Sequence, residues 1–243
     1  ACEPRRAGRG GRGRKAGGVT PFPRFPSTRP RDICQLAGRW RGAVPDGGIA
    51  CEEKRDGWRA LWFPGRDGKR RLWTRGGQPI EGVDHIAHWL GLLEDAAGEP
   101  FLFDGEFQVG GTLAATKQWC ERGWRAGGNA GRLYLFDAMP LSDWQAGGCD
   151  RAWIERKARL SQIMRDAAAS PLSWEWAPGS RGQGHGAPPV EILADTWLFT
   201  AEDVRDEANR VWARGGEGLM LKDPAAPYVR DRSDSWLKVK RDG

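Results

Sequence analysis

The sequence contains no C-x-x-C pair, no long apolar run and only three histidines, and its first thirty residues hold a single acid. Its five cysteines, Cys2, Cys34, Cys51, Cys120 and Cys149, are odd in number and widely spaced. That spacing argues against a paired zinc or dithiol motif and leaves reduced thiols as the expectation. No stretch approaches the ~18 apolar residues needed to cross a bilayer, and the visible N-terminus lacks the apolar segment of a secretory signal. A cytoplasmic monomer with no membrane partner is therefore expected, although a leader removed ahead of Ala1 would leave no trace. His85, His88 and His185 have no ligand partners at metal-binding spacing, and the first two read as ordinary helix residues.

What is present divides the 243 residues into two parts. Residues 1–32 are Gly/Arg-rich and then Pro-rich. Eight Lys/Arg fall in the first thirty positions, so the chain's net charge of +6 belongs mainly to this end. So few apolar groups cannot offset the entropy of ordering, and a mobile arm is expected. It is either a solubilising tail or a cationic arm that draws nucleic acid nonspecifically.

Residues 33–243 are expected to form one α+β domain with mainly antiparallel sheets flanked by helices. "IACEEK", "WRALWF" and "RLWTR" read as strands of a meander, with Asp56-Gly57 and "PGRDGK" as its turns. "PFLFDGEFQVG", "GRLYLFDAM", "VEILADTWLF", "EGLMLK" and "SWLKVK" are further strands. "DHIAHWLGLLED" and "DRAWIERKARLSQIMRDAA" have helical spacing. Thr200 and Asp203 form an acidic capping box for a third helix that Gly215-Gly216 closes. Residues 171–189 read as an excursion loop.

Lys54 opens K-x-D-G-x-R, which ends at Arg59. Alone this is a weak signal, since Asp-Gly is a common hairpin turn, a strand Phe such as Phe136 is usually core, and Lys238 and Lys240 suit a solvated edge strand. The order of the downstream motifs changes the weighting: Thr74-Arg75-Gly76-Gly77, Asp104-Gly105-Glu106, Leu135-Phe136-Asp137, Glu217 to Lys222, then Lys238-Val239-Lys240. This ordered set resembles the covalent nucleotidyltransferases, the superfamily of polynucleotide ligases and capping enzymes. It is most similar to the adenylation domain of the small ATP-dependent DNA ligases of bacteria and phages, from about residue 48 to the end.

The resemblance implies an ATP-grasp-like nucleotidyltransferase fold, ATP and Mg²⁺ (or Mn²⁺) as cofactors, and nicked double-stranded DNA as partner. Lys54 would attack the α-phosphorus of ATP. A lysine does so only as the neutral amine, whereas its ordinary pKa is about 10.4, so neighbouring cations such as Lys238 and Lys240 are needed to favour loss of its proton. By the same resemblance Glu52 would receive the adenine amine, Arg59 and Glu106 the ribose hydroxyls, and Phe136 would stack on the base. Glu217, with Glu106, would hold the metal; Lys222, Lys238 and Lys240 would contact phosphate; Arg75 would contact the 5′-phosphate of the nick, with Arg230 and Arg232 on DNA. The family continues into an OB-fold domain that is not seen after Lys240, so a separately supplied one is an expected partner. A capping guanylyltransferase, an RNA ligase and a degenerate nucleic-acid-binding domain remain open at this point.

Overall fold

The structure is a computed structural model that describes residues 33–121, 130–170 and 188–241. The expected arm and nearly all of the expected excursion loop lie outside the described residues. Strands β1 (Leu36–Arg39), β2 (Ile49–Glu53), β10 (Asp195–Leu198), β11 (Gly218–Lys222) and β13 (Arg232–Lys240) form a five-stranded sheet in the order β1-β13-β11-β2-β10. Strands β3 (Trp58–Pro64), β4 (Arg70–Thr74), β5 (Pro79–Ile80), β6 (Phe101–Val109), β7 (Gly131–Pro140) and β9 (Val190–Ile192) form a six-stranded one in the order β5-β4-β3-β6-β7-β9. Among the described residues only β1 with β13 and β7 with β9 pair in parallel, so the expected antiparallel α+β class is what forms.

Two-residue alternation explains why these segments stack in layers. Along β3, Ala60 and Trp62 face one way, toward helices α1 (Asp84–Ala97) and α4 (Trp153–Ala169), where they meet Ile86, Leu90, Leu160 and Ile163. Leu61 and Phe63 face the other way and join Phe136, Tyr228 and Trp236 in a second cluster between the sheets. The outer face of the five-stranded sheet, with Ile49, Cys51, Leu219 and Leu221, is covered by Val204, Ala208 and Val211 of α5 (Ala201–Ala213). Among the described residues, no helix is long and apolar enough to cross a membrane.

Two expectations are corrected. Asp56-Gly57 is not a hairpin turn, because β2 and β3 belong to different sheets and the chain crosses between them there. Asp56 instead accepts from the backbone N–H of Leu113 (3.0 Å), at the start of α2 (Leu113–Glu121), and from Gln108 through its carbonyl (3.1 Å). A Cβ at position 57 would lie 2.3 Å from the Phe107 carbonyl oxygen, so glycine is required for the crossing. "VEILADTWLF" likewise is two strands: Val190–Ile192 pairs with β7 and Asp195–Leu198 with β2. The "PGRDGK" hairpin does form, between β3 and β4.

The capping box of α5 forms as expected. Thr200 Oγ1 accepts from the Asp203 N–H (3.0 Å), and Asp203 Oδ2 accepts from the backbone N–H groups of Thr200 (2.8 Å) and Phe199 (3.0 Å). Thr200→Ala is expected to cost about 1 kcal/mol of stability. The Phe199 and Thr200 bonds hold the Asp203 carboxyl below its ordinary value, so its contribution is present above the ordinary carboxylate pKa of about 3.9 and is lost as pH falls through the lower folded value. Asp203→Asn should therefore be less stable than the parent at pH 7, with the gap closing in strong acid. Denaturant titrations at the two pH values measure this.

Candidate active site

Both sheets aim charged side chains into the space between them. On β2, β11 and β13 the residues that alternate with the α5-facing core are Glu52, Met220, Lys222, Trp236, Lys238 and Lys240. Register aligns them in rows: Met220 lies opposite both Glu52 and Lys238, Lys222 opposite Trp236, and Gly218 opposite Lys240. Lys54 extends the last of these rows, its backbone N–H donating to the Gly218 carbonyl (2.9 Å). From the six-stranded sheet come Arg59, Glu106 and Phe136. Phe136 shares the cleft face of β7 with Tyr134, alternating with Leu133 and Leu135 of the helix-covered core, and it lies at a bulge where Asp104 pairs with Asp137 but Gly105 with Leu135.

A cavity of about 830 Å³ opens between the sheets and is lined by Glu52, Lys54, Arg59, Arg75, Glu106, Phe136, Glu217, Lys222, Arg232, Lys238 and Lys240. Of the residues expected at a site, Arg230 alone is absent from this wall; its guanidinium lies 4.9 Å from the Trp144 ring centroid.

The carboxylates flanking Lys54 in sequence do not hold it. Glu53 pairs with Arg214 (2.8 Å), and Glu52 is turned into the interior. Lys54 Nζ donates instead to Glu217 Oε2 (2.5 Å), while Lys240 Nζ donates to Glu217 Oε1 (2.5 Å). Burial alone would raise the Glu217 carboxyl, but the bonds from Lys240 and Lys54 prevail and hold it below its ordinary value. Lys238 is lowered, first by partial burial and then by Lys240, Arg232, Lys54 and Arg39. The result is a strongly cationic pocket end with Lys54 inside it.

At the opposite end, Glu52 is 2% exposed and carries a lysine on each oxygen: Lys157 on Oε1 and Lys222 on Oε2 (2.7 Å). Lys222 also donates to the Phe136 carbonyl (3.1 Å), and its ammonium lies 4.4 and 4.6 Å from the ring centroids of Trp236 and Phe136. Arg59 makes a two-pronged pair with Asp104 and donates to the Gln35 carbonyl (3.2 Å). Tyr228 Oη donates to the same Asp104 (2.7 Å).

Glu106 Oε1 accepts from the Gly57 N–H (3.2 Å). Burial pushes its carboxyl up to about 7, against the opposing pull of Lys54 and Arg59. Among the described residues no cluster of three His, Cys, Asp or Glu side chains is placed to hold a metal. Glu106 and Glu217 nevertheless offer hard oxygen donors to one cavity, a set that fits Mg²⁺, which keeps several waters and takes one or two carboxylates.

Asp104, Tyr228 and Lys157 were not anticipated as site residues. Lys157 did carry a signal: it falls on the apolar face of its helix, between Trp153 and Leu160, where a solvated lysine has no place. Arg55 and Lys117 also line the cavity unforeseen, Arg55 with its guanidinium 4.4 Å from the Tyr134 ring centroid.

A family model described as "ATP dependent DNA ligase domain" matches residues 42–240. Part of the chain is 30% identical over 107 residues to DNA ligase 4 of Yarrowia lipolytica, a match covering 44% of this chain and 10% of that relative. The chain thus spans about a tenth of the curated relative it matches. In fold it is similar to the ATP-dependent DNA ligase of bacteriophage T7 in complex with ATP (TM-score 0.67, 17% identity, 87% of this chain and 69% of that one). It is also similar to Chlorella virus DNA ligase-adenylate (TM-score 0.57, 18% identity, 88% of this chain and 69% of that one).

Two outcomes are expected. Asp104→Asn leaves the buried Arg59 cation without its counter-ion and should cost about 3 kcal/mol, read by denaturant titration. Glu106 has a folded pKa above the unfolded value, so in nucleotide-free, metal-free buffer it weakens the fold progressively as pH rises from about 4.3 to about 7. Glu106→Gln keeps an acceptor for Gly57 and removes that penalty. It should be more stable than the parent at pH 8, by on the order of 1 kcal/mol after allowing for solvent in the cavity, and no more stable near pH 4.

Proposed function

Because this chain belongs to the family of ATP-dependent DNA ligase domains, we propose that it catalyses adenylyl transfer through Lys54 and that its physiological acceptor is the 5′-phosphate of a DNA nick. The observation that carries the reading is the placement of Lys54 Nζ inside the cavity, on a carboxylate it shares with Lys240 and beside the cationic Lys238.

The neutral Lys54 amine attacks the α-phosphorus of ATP; the N–P bond forms, the bond to the β-phosphate oxygen breaks, and pyrophosphate leaves. The positive field of Lys240, Lys238 and Arg232 favours loss of the Lys54 proton and offsets charge on the transferring phosphate. Glu217 and Glu106 would hold a divalent cation such as Mg²⁺ or Mn²⁺ through their oxygens, and it would supply further positive charge at the phosphates.

Glu52 accepts from the exocyclic amine of adenine and Phe136 packs on the base. Arg59 has five N–H donors, and the bonds to Asp104 and Gln35 leave two of them for the ribose hydroxyls. Lys222, with its ammonium on Glu52 and the Phe136 carbonyl, has one donor left for phosphate. In the second stage AMP passes from Lys54 to the nick 5′-phosphate and the 3′-hydroxyl displaces it. Arg75 and Arg232, on the cavity wall, and Arg230 beyond it are assigned to DNA phosphates.

Intact mass after incubation with ATP and Mg²⁺ tests the first stage. A gain of one AMP is expected for the parent and none for Lys54→Ala. An adduct on the Lys54→Ala variant would overturn the assignment of the nucleophile, and a GMP adduct formed from GTP in preference would replace the ligase reading with that of a guanylyltransferase.

A further inference from the structure

We propose that Lys157 sets the base selectivity of the cavity, as a positioning residue that orients Glu52 toward an exocyclic amine. This rests on the reading of the cavity as an ATP site. Lys157 lies on α4, which packs over the six-stranded sheet, yet its ammonium crosses to β2 of the five-stranded one. It is 7% exposed. Nζ bonds Glu52 Oε1, donates to the Leu193 carbonyl (2.7 Å), lies 3.8 Å from Asp195 Oδ1 and sits 5.5 Å from the Trp153 ring centroid.

Charge neutralisation alone does not explain this lysine. Lys222 already pairs with Glu52, so the second ammonium leaves two buried cations around one buried carboxylate. What the pair achieves is geometric. With one lysine on each oxygen, the carboxylate cannot turn about its terminal bond, and the lone pairs left over have fixed directions.

Glu52 and Leu193 both line the cavity while Lys157 stands behind them. It therefore ties an acceptor side chain to the neighbouring backbone without touching the ligand. A fixed, acceptor-only edge bonds the amine at C6 of adenine and repels the oxygen at C6 of a 6-oxopurine. Sites built to bond an N–H reject analogues that lack it far more strongly than apolar pockets reject a misfit.

The test compares parent, Lys157→Met, Lys157→Gln and Lys157→Arg in the adenylylation step. The substrates are ATP, purine riboside triphosphate, which has no group at C6, and inosine triphosphate, which has an oxygen there. Inorganic tripolyphosphate serves as a competitor that senses the phosphate end alone, and Lys157→Gln keeps the comparison open if Lys157→Met does not fold.

Both neutral variants should raise KM for ATP about tenfold or more, with kcat within about threefold, the pattern of lost binding to the base. KM for purine riboside triphosphate and inhibition by tripolyphosphate should be unchanged. The preference for ATP over inosine triphosphate should fall, and Lys157→Arg should restore it. Equal losses on ATP and on purine riboside triphosphate would show a merely structural lysine and overturn the proposal while leaving the ATP site intact. A parent that forms no adduct with any of the triphosphates would overturn the ATP-site reading itself, and this inference with it.

Discussion

Asp104, fully buried on β6, accepts from Arg59 and from Tyr228, and this one carboxylate fixes how the two sheets are aligned across the apolar layer they share. Arg59 comes from the six-stranded sheet and Tyr228 from the short β12 (Tyr228–Val229) that precedes β13. Tyr228 accepts in turn from the Gln35 N–H (3.2 Å), and Gln35 bonds Ser235 (3.0 Å) and the Val229 N–H (2.9 Å), which carries the network into the five-stranded sheet. A buried ion is tolerable only when paired and fully bonded, so the two sheets cannot slide without breaking several such bonds at once. The cavity inherits its shape from that constraint.

The cleft is polar where a sandwich of two sheets would ordinarily be apolar. Each of its buried acids has an assigned cation: Arg59 for Asp104, Arg156 for Asp137, and Lys157 with Lys222 for Glu52. At the base end Lys157 and Lys222 are set against Glu52 and the more distant Asp195, so charge is nearly balanced there, and the surplus of positive charge lies at the end that holds Lys54, Lys238 and Lys240. The base end is thus electrically quiet and geometrically fixed, whereas the phosphate end has charge to offer an anionic ligand. That division of labour comes from how far along its strand each cleft-facing residue sits.

Much of this was legible in the sequence. The alternation in "LMLK" and "WLKVK" places Lys222, Lys238 and Lys240 on one face, and the ordered motifs picked out Glu52, Lys54, Arg59, Glu106, Phe136 and Glu217, all of which line one cavity. What misled was local grammar. Asp56-Gly57 has the chemistry of a hairpin turn, but the crossing between sheets needs the same glycine for clearance from Phe107. "VEILADTWLF" has a continuous strand propensity, and only long-range pairing decides that its halves serve different sheets. Lys157 is separated from Glu52 by more than a hundred residues, and no short pattern encodes that meeting.

The extra residue in β7 makes the placement of a buried acid a matter of phase. Leu133 and Leu135 belong to the helix-covered core and Tyr134 and Phe136 to the other face, so Phe136 would face the cleft in a regular strand too. The bulge acts on its neighbour: Asp137 stands opposite Asp104, where a regular ladder would have Phe136, and so two successive residues keep to the cleft side and Asp137 meets Arg156. Without the bulge the same sequence would set Asp137 opposite Phe103, a carboxylate on the apolar face beneath the helices. The feature is encoded by a count of residues rather than by their identity, so a survey of substitutions would miss what a one-residue deletion reveals.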